Sequence, residues 1–479
     1  MNKDLFFIDN INHWTIKSYK HPEFKAYNIL VREQRRAVNL IIKSWKSNEN
    51  KFLNGVMGTG KTLTFLATAE KALSNLNVKY IFIFAPSTAL KRTWESEIKK
   101  FTDFKVNCIY SGKGLNKITT GKTLNLISIN LLSQEEFTKH FIEMLKKIKK
   151  EEIVFIDDES HKFKRYQSKR TKSWLKLCDL VSYVLPGSGT PVSENSMNAY
   201  PQYRCLNNDI FNMSFSAYKK LFCDIDEIYT TGAIKREVYI PCNAHSSKGK
   251  ALKKLIIRQT VYLKKEYIFR TIPSCFENVI LKPSKKEKEI QSQIENNFYF
   301  YDSNGQSQIA VNGLTKLLRH RQISDGVYFP DDSSKLDFYE TIIDDLIGSK
   351  TIIFCIWPKI IEQIKSELLE LSENELKVYT YHGSMAEKDK KESYDNFRKD
   401  GNIFIGSESI CESLNLQFCH NMVLHSLPLS YDKFYQLHGR IDRKGQSNSC
   451  NFKYLFNNDI DYTLFDMLKN KKDISKYFS

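Results

Sequence analysis

No pair of cysteines in this chain has C-x-x-C spacing. The ten cysteines, among them Cys108, Cys205, Cys223, Cys355 and Cys450, lie scattered through 479 residues. That excludes a zinc site or dithiol redox centre of the usual spacing and leaves reduced core residues as their role. No apolar run approaches the roughly 18 residues that a membrane-spanning helix needs. The Met1 to Lys20 segment has no apolar core of signal-peptide type, so the expectation is a soluble, intracellular protein. A repeat of solenoid length and low-complexity tracts are also missing. What is present is a hydrophobic share of 41% and an aromatic share of 13%, ample for packed cores and against extensive disorder. The length calls for two or three domains. The net charge of +17 points to a polyanionic partner, either nucleic acid or an anionic membrane surface. An AT-rich coding sequence, suggested by abundant Lys, Asn and Ile, raises the same charge without any partner.

The most informative stretch is GVMGTGKT at Gly55 to Thr62, which fits the phosphate-cradle pattern G-x-x-x-x-G-K-[ST] without a mismatch. Gly55, Gly58 and Gly60 let the backbone aim its N–H groups at phosphates. Lys61 reaches the β and γ oxygens, and Thr62 ligates Mg²⁺. A Gly-rich turn opening a helix is the plain alternative, and the context decides against it. Lys51 to Asn54 offers a strand into the loop, and Leu63 to Leu73 has helical apolar spacing. Downstream, IVFIDDESH from Ile153 to His161 reads as a buried parallel strand ending in carboxylates. There Asp158 is placed to hold Mg²⁺ through water and Glu159 to polarise the attacking water, as phosphoanhydride hydrolysis requires. The expected cofactors are ATP and Mg²⁺.

The rest of the chain divides into two α/β halves. In the first, strands are expected at Tyr80 to Pro86, Leu124 to Ile129, Ile153 to Ile156 and Tyr183 to Leu185, with a helix after Pro86 carrying Trp94 and Phe101 on its apolar side. From about Asn195 to Pro273 the pattern changes to helical and irregular stretches rich in aromatic and basic residues. The alternation restarts at Thr351 to Trp357, Val378 to Gly383, Ile403 to Gly406 and Met422 to Ser426. Strands alternating with helices imply parallel sheets with ligands at the carboxyl ends of the strands.

Taken together, these motifs resemble the Swi/Snf-type branch of superfamily 2 helicases and translocases, over nearly the whole chain from about Tyr27. LNGVMGTGKT is similar to the family's first motif, FAPSTALKRTWESEIKKF to the segment with W-x-x-E, and DDESHKFKRYQSKRTK to D-E-x-H with its basic tail. GSGTP at Gly187 to Pro191, followed by Asn195, resembles the motif that links hydrolysis to movement. LLRHRQISDG, YHGS and QLHGRIDRKGQ continue in the family's order. The resemblance implies an α/β fold of two RecA-like lobes with a helical insertion between them, residues 1–280 forming the first lobe and 281–479 the second. It implies that Gln34 reads adenine through its amide, that His161 senses the ATP site, and that Gln436 lies in register with the nucleotide site. Arg440 and Arg443, three apart, are expected to project from one helix face to the γ-phosphate.

The expected partner is DNA, duplex, forked or branched. Ser87 and Thr88, Ser128 and Asn130, Lys162 to Arg165, and the stretch holding His382 and Ser384 follow strands at one sheet edge, where hydroxyls, N–H groups and cations can grip backbone phosphates. Two segments depart from the family pattern. Ile410, Cys411, Glu412 and Ser413 stand where G-G-x-G is usual, and LPLSYDKFYQ replaces W-N-P, leaving Tyr431, Phe434 and Tyr435 as base-stacking or core aromatics. Without accessory modules the chain looks like a bare motor of the kind found in phages. The expected activity is that of an ATP-dependent DNA helicase or translocase serving replication, recombination or repair. A translocase that displaces bound proteins or RNA polymerase, and an ATP-gated clamp, are the alternatives.

Overall fold

The computed structural model describes residues 24–478 apart from 193–195, 208–210, 231–233, 244, 269–271, 311 and 412–413. Asn195, Glu412 and Ser413 therefore lie outside the described residues. The first lobe is built on β1 (Phe52–Gly55), β2 (Tyr80–Ala85), β3 (Lys105–Ile109), β4 (Thr123–Ser128), β5 (Ile153–Asp158) and β6 (Tyr183–Ser188). After a hairpin of β7 (Cys223–Thr230) and β8 (Ile234–Pro241), β9 (Thr260–Leu263) returns to the same sheet. Its seven strands run parallel in the order β3-β4-β2-β5-β6-β1-β9.

The continuous apolar run of β2 has a simple cause. Ile81, Ile83 and Ala85 point to one face, into a core shared with Phe65, Leu66 and Ala69 of the helix Lys61–Asn75. Phe82 and Phe84 point to the other face, against Phe141, Phe155 and Trp174. A strand covered on both faces needs apolar residues at every position.

The second lobe follows the same logic. Its strands are β10 (Cys275–Ile280), β13 (Thr351–Phe354), β14 (Val378–Tyr381), β15 (Ile403–Gly406), β16 (Asn421–Leu424) and β17 (Asn451–Phe456), β11 (Tyr299–Tyr301) and β12 (Ser307–Ile309) being a small hairpin between the first two. The six main strands are parallel, in the order β10-β17-β16-β13-β15-β14. Two RecA-like lobes are thus present, with two corrections to the expected boundaries. Cys275–Ile280 pairs along its whole length with β17, so the second lobe starts before 275 rather than at 281. The 195–273 insertion is also not wholly helical, because β7 and β8 pair antiparallel and β9 completes the first sheet.

A buried ionic knot closes the second lobe. Lys335 is fully buried, and its ammonium lies 2.9 Å from Asp325 and 3.0 Å from Asp461. Asp325 also accepts the Trp357 indole N–H at 2.7 Å and the Ser426 hydroxyl at 2.8 Å. His425, packed beside it, is pushed down to about 4 by burial. Removing the one ammonium leaves two buried carboxylates facing each other. Lys335→Ala is therefore expected to cost about 3–5 kcal/mol of stability, and chemical denaturation of the purified variant against the parent measures it.

Candidate nucleotide and nucleic-acid site

The GVMGTGKT loop leaves β1 and opens the helix Lys61–Asn75. Gly58 and Gly60 have φ of +82° and +73°, a region that side-chain-bearing residues enter only at a cost. The loop therefore requires glycine at both positions. Gln34 is buried, and its amide is built into the cradle. Its Nε2 donates to the Thr59 carbonyl at 2.8 Å, and its Oε1 accepts the Val31 N–H at 3.0 Å. It is a brace for the loop rather than an exposed helix glutamine. Lys61 folds back to the Gly55 carbonyl at 2.7 Å.

The acid pair at the end of β5 is held by five side chains. Burial and the charge of Glu159 push Asp158 up, against Lys61, the Trp94 indole N–H at 3.0 Å and the Thr62 hydroxyl, which favour its charged form. Burial also pushes Glu159 up, but His161, 3.0 Å away, together with Lys61 and Lys162, outweighs it and holds Glu159 below the usual carboxylate range. Two adjacent carboxylates are thereby driven apart, Glu159 to the charged side. Trp94, expected as a packing residue, is a direct partner of Asp158. The W-x-x-E segment was the only signal for it. Asp157, one residue earlier, is fully buried, and burial holds its carboxyl well above the usual range.

Beyond Glu159 the contacts continue without a break. His161 Nδ1 lies 3.3 Å from Ser188 Oγ, which accepts the Thr190 N–H at 3.1 Å. The Thr190 hydroxyl donates to Asp432 of the second lobe at 2.9 Å, and Lys164 meets the other oxygen of Asp432 at 2.5 Å. Ser188, Thr190 and Asp432 were not singled out one by one from the sequence, although GSGTP contains the first two, whereas Lys164 lies within the Lys162 to Arg165 stretch expected to grip phosphates.

The second lobe meets the cradle through the helix Tyr431–His438, capped by Ser430. The Met57 N–H lies 3.4 Å from the Tyr435 hydroxyl, and a methyl group on Gly58 would come within 3.1 Å of the Arg443 Cβ. Tyr431 and Phe434 pack in the second-lobe core, so the aromatics of LPLSYDKFYQ serve packing and the lobe interface. The expectation that Arg440 and Arg443 share a helix face is corrected, because the helix ends at His438 and both lie in the following turn. The Arg440 guanidinium is bound to the Cys411 and Leu414 carbonyls. Cys411, in the segment that replaces the family's glycines, and Leu414, just after it, are both buried and anchor Arg440 through their carbonyls. Arg443 donates to Asn415 at 2.7 Å.

The expected nucleic-acid residues fall into two groups. In the first lobe Ser87 and Ser128 are 2.7 Å apart, the Asn130 N–H donates to Ser128 Oγ at 3.4 Å, and Arg170 reaches Asn130 at 3.1 Å. Thr88, next to Ser87, is exposed. Lys162 and Arg165 line an open cavity of about 440 Å³ together with Arg170, His161 and Gln436. Gln436 thus borders the basic cavity. His382 and Ser384 are 2.8 Å apart at the end of β14, separate from the others, with Glu362 at 3.3 Å from His382.

With this geometry in view, comparison with known proteins gives a consistent result. Residues 29–192 match the family described as "Type III restriction enzyme, res subunit", and residues 334–445 match "Helicase conserved C-terminal domain". Over 203 residues the chain is 25% identical to the SWI/SNF-related matrix-associated actin-dependent regulator of chromatin subfamily A-like protein 1 of Bos taurus. That match takes in 42% of this chain, which spans about a fifth (20%) of the length of the curated relative. The Sulfolobus solfataricus SWI2/SNF2 ATPase core in complex with dsDNA is 19% identical, at a TM-score of 0.44, with coverage of 95% of this chain and 94% of that one. The same organism's SWI2/SNF2 ATPase core domain gives 18% identity and a TM-score of 0.41, with 92% and 88% covered. Among the described residues no helix is long and apolar enough to cross a membrane.

Proposed function

We propose that this chain, which matches a restriction-enzyme res-subunit model and a helicase C-terminal model over residues 29–192 and 334–445 and is similar to a SWI/SNF-related protein over 203 residues, is a superfamily 2 ATPase of the Swi/Snf type, a DNA translocase that moves on duplex or branched DNA. The observation that carries the reading is the split site. The phosphate cradle sits in the first lobe, and the turn holding Arg443 packs against it from the second. Turnover in such a site depends on how the lobes are set, and a polymer bound across both lobes can set them.

On this reading Lys61 binds the β and γ phosphates, and Glu159, held charged, accepts a proton from the attacking water. The remaining donor hydrogen and lone pair of Gln34 meet the adenine edge. We assign the γ-phosphate contact to Arg443, because Arg440 is spent on the Cys411 and Leu414 carbonyls. Thr62 and Asp158 offer the hydroxyl and carboxylate oxygens that suit Mg²⁺ and would hold it, where it supplies charge neutralisation of the phosphate oxygens. Ser87, Thr88, Ser128, Asn130, Lys162 and Arg165 in the first lobe, and His382 and Ser384 in the second, grip backbone phosphates and read no sequence.

The test is ATP turnover with duplex, single-stranded, forked and four-way DNA, each followed for strand separation. Stimulation by DNA with separation of forks marks a helicase, and stimulation by duplex alone marks a translocase of the protein-displacing kind. A rate indifferent to every DNA removes the reading. Phosphate gripping also sets the salt response. For about six to ten phosphate contacts, affinity is expected to fall by roughly 10³–10⁵ between 50 and 200 mM salt, with little preference among sequences of one shape. Binding isotherms across that range check this, and a flat response contradicts it.

A further inference from the structure

Between the lobes, the 440 Å³ cavity is lined by Lys162, Lys164, Arg165, Lys169 and Arg170 from the first lobe and Lys433 from the second. Among the described residues its one acidic lining residue is Asp432, whose two oxygens take the Lys164 ammonium at 2.5 Å and the Thr190 hydroxyl at 2.9 Å. Both members of the Lys164 and Asp432 pair are largely buried, with side-chain exposures of 13% and 8%. Gln436, also 8% exposed, borders the same cavity, and its Oε1 meets no hydrogen-bond partner among the described residues. Turned about its last bond, that amide presents N–H donors to the cavity. A concave site lined by one sign of charge concentrates the opposite one.

Resting on the DNA reading above, we propose that this cavity binds one backbone phosphate of the DNA, and that Asp432 occupies the phosphate's place on Lys164 until DNA arrives. A phosphodiester entering beside Lys162, Lys169 and Lys433 offers Lys164 an anion with more acceptor oxygens. It also places a second negative charge next to Asp432, so the ion pair between the lobes gives way. The effect reaches the acid pair through contacts already described. Asp432 holds Thr190, Thr190 donates to Ser188, Ser188 touches His161, and His161 is 3.0 Å from Glu159. The same exchange frees the segment carrying the arginines. In the present arrangement Arg440 and Arg443 both bond within their own lobe, to Cys411, Leu414 and Asn415. The pair of Lys164 with Asp432 thus fixes a resting state in which those side chains are held off the cradle.

Two variants test the two halves of the proposal. Asp432→Asn keeps an acceptor for Thr190 and loses the charge that holds Lys164. Its turnover without DNA is expected to rise several-fold, narrowing the ratio of DNA-stimulated to DNA-free rate, and a DNA-free rate no higher than the parent's overturns the latch. Lys433→Ala removes one phosphate-facing cation, so the slope of log affinity against log salt is expected to shrink by about one, and Lys433→Arg to restore it. An unchanged slope in Lys433→Ala overturns the pocket. Heparin in place of DNA separates the sources of anion. If it raises the parent's turnover and Lys433→Ala abolishes that effect, the pocket serves polyanions at large and the backbone assignment falls. The wider reading fails at a different point, in a parent whose turnover DNA does not change, and the slope comparison still decides the pocket there.

Discussion

Lys61→Ala is expected to reduce ATP turnover by roughly 10²–10³-fold or more, the scale on which removing one fixed electrostatic donor acts in a phosphoryl-transfer site. Two effects combine. The first is loss of the ammonium proposed to reach the β and γ oxygens. The second is internal, because Lys61 is one of the groups holding both Asp158 and Glu159 toward their charged forms. Without it, burial drives Asp158 further up, and the acid that would hold the metal is more often protonated. The fold should survive, since Lys61 is part-buried and its hydrogen bond to the Gly55 carbonyl is worth about 1 kcal/mol. Steady-state hydrolysis and thermal unfolding of the purified variant measure the two expectations. Parental turnover would show that GVMGTGKT is not the hydrolytic centre.

Much of this site is local in sequence, which is why it could be read there. A phosphate cradle, a strand ending in carboxylates and the helix after the cradle are each set by adjacent residues, and the strand periods followed from burial on both sheet faces. Where reading failed, the determining contact was remote. Cys275–Ile280 belongs to the second lobe because of its pairing with Asn451–Phe456, and nothing within it says so. The spacing of Arg440 and Arg443 suggested one helix face, but the helix stops at His438 and the carbonyls of Cys411 and Leu414 capture Arg440. Asp432 drew no reading of its own within LPLSYDKFYQ. Its role depends on Lys164 and Thr190 arriving from another lobe, and such a coincidence leaves no periodic trace.

Arg443→Ala separates a two-lobe motor from a simple ATPase. Its backbone already lies against Gly58 while its guanidinium rests on Asn415, so reaching the γ-phosphate takes a side-chain swing and a small resetting of the lobes. Burial lowers its pKa, with Glu97 opposing, yet an arginine stays charged at neutral pH. A cation delivered only when the lobes are correctly set makes hydrolysis slow alone and fast with DNA. The alanine variant should therefore lose about 10³-fold or more of the DNA-stimulated rate and keep most of its ATP affinity, because the residues proposed to meet adenine and the other phosphates belong to the first lobe. Arg443→Lys keeps a charge without the planar fork and is expected to recover only part of the rate. ATPase assays with and without forked DNA, beside equilibrium nucleotide binding, read both quantities. An Arg443→Ala protein still fully stimulated by DNA would place the transition-state cation elsewhere, and Arg440, released from the Cys411 carbonyl, would be the next residue to test.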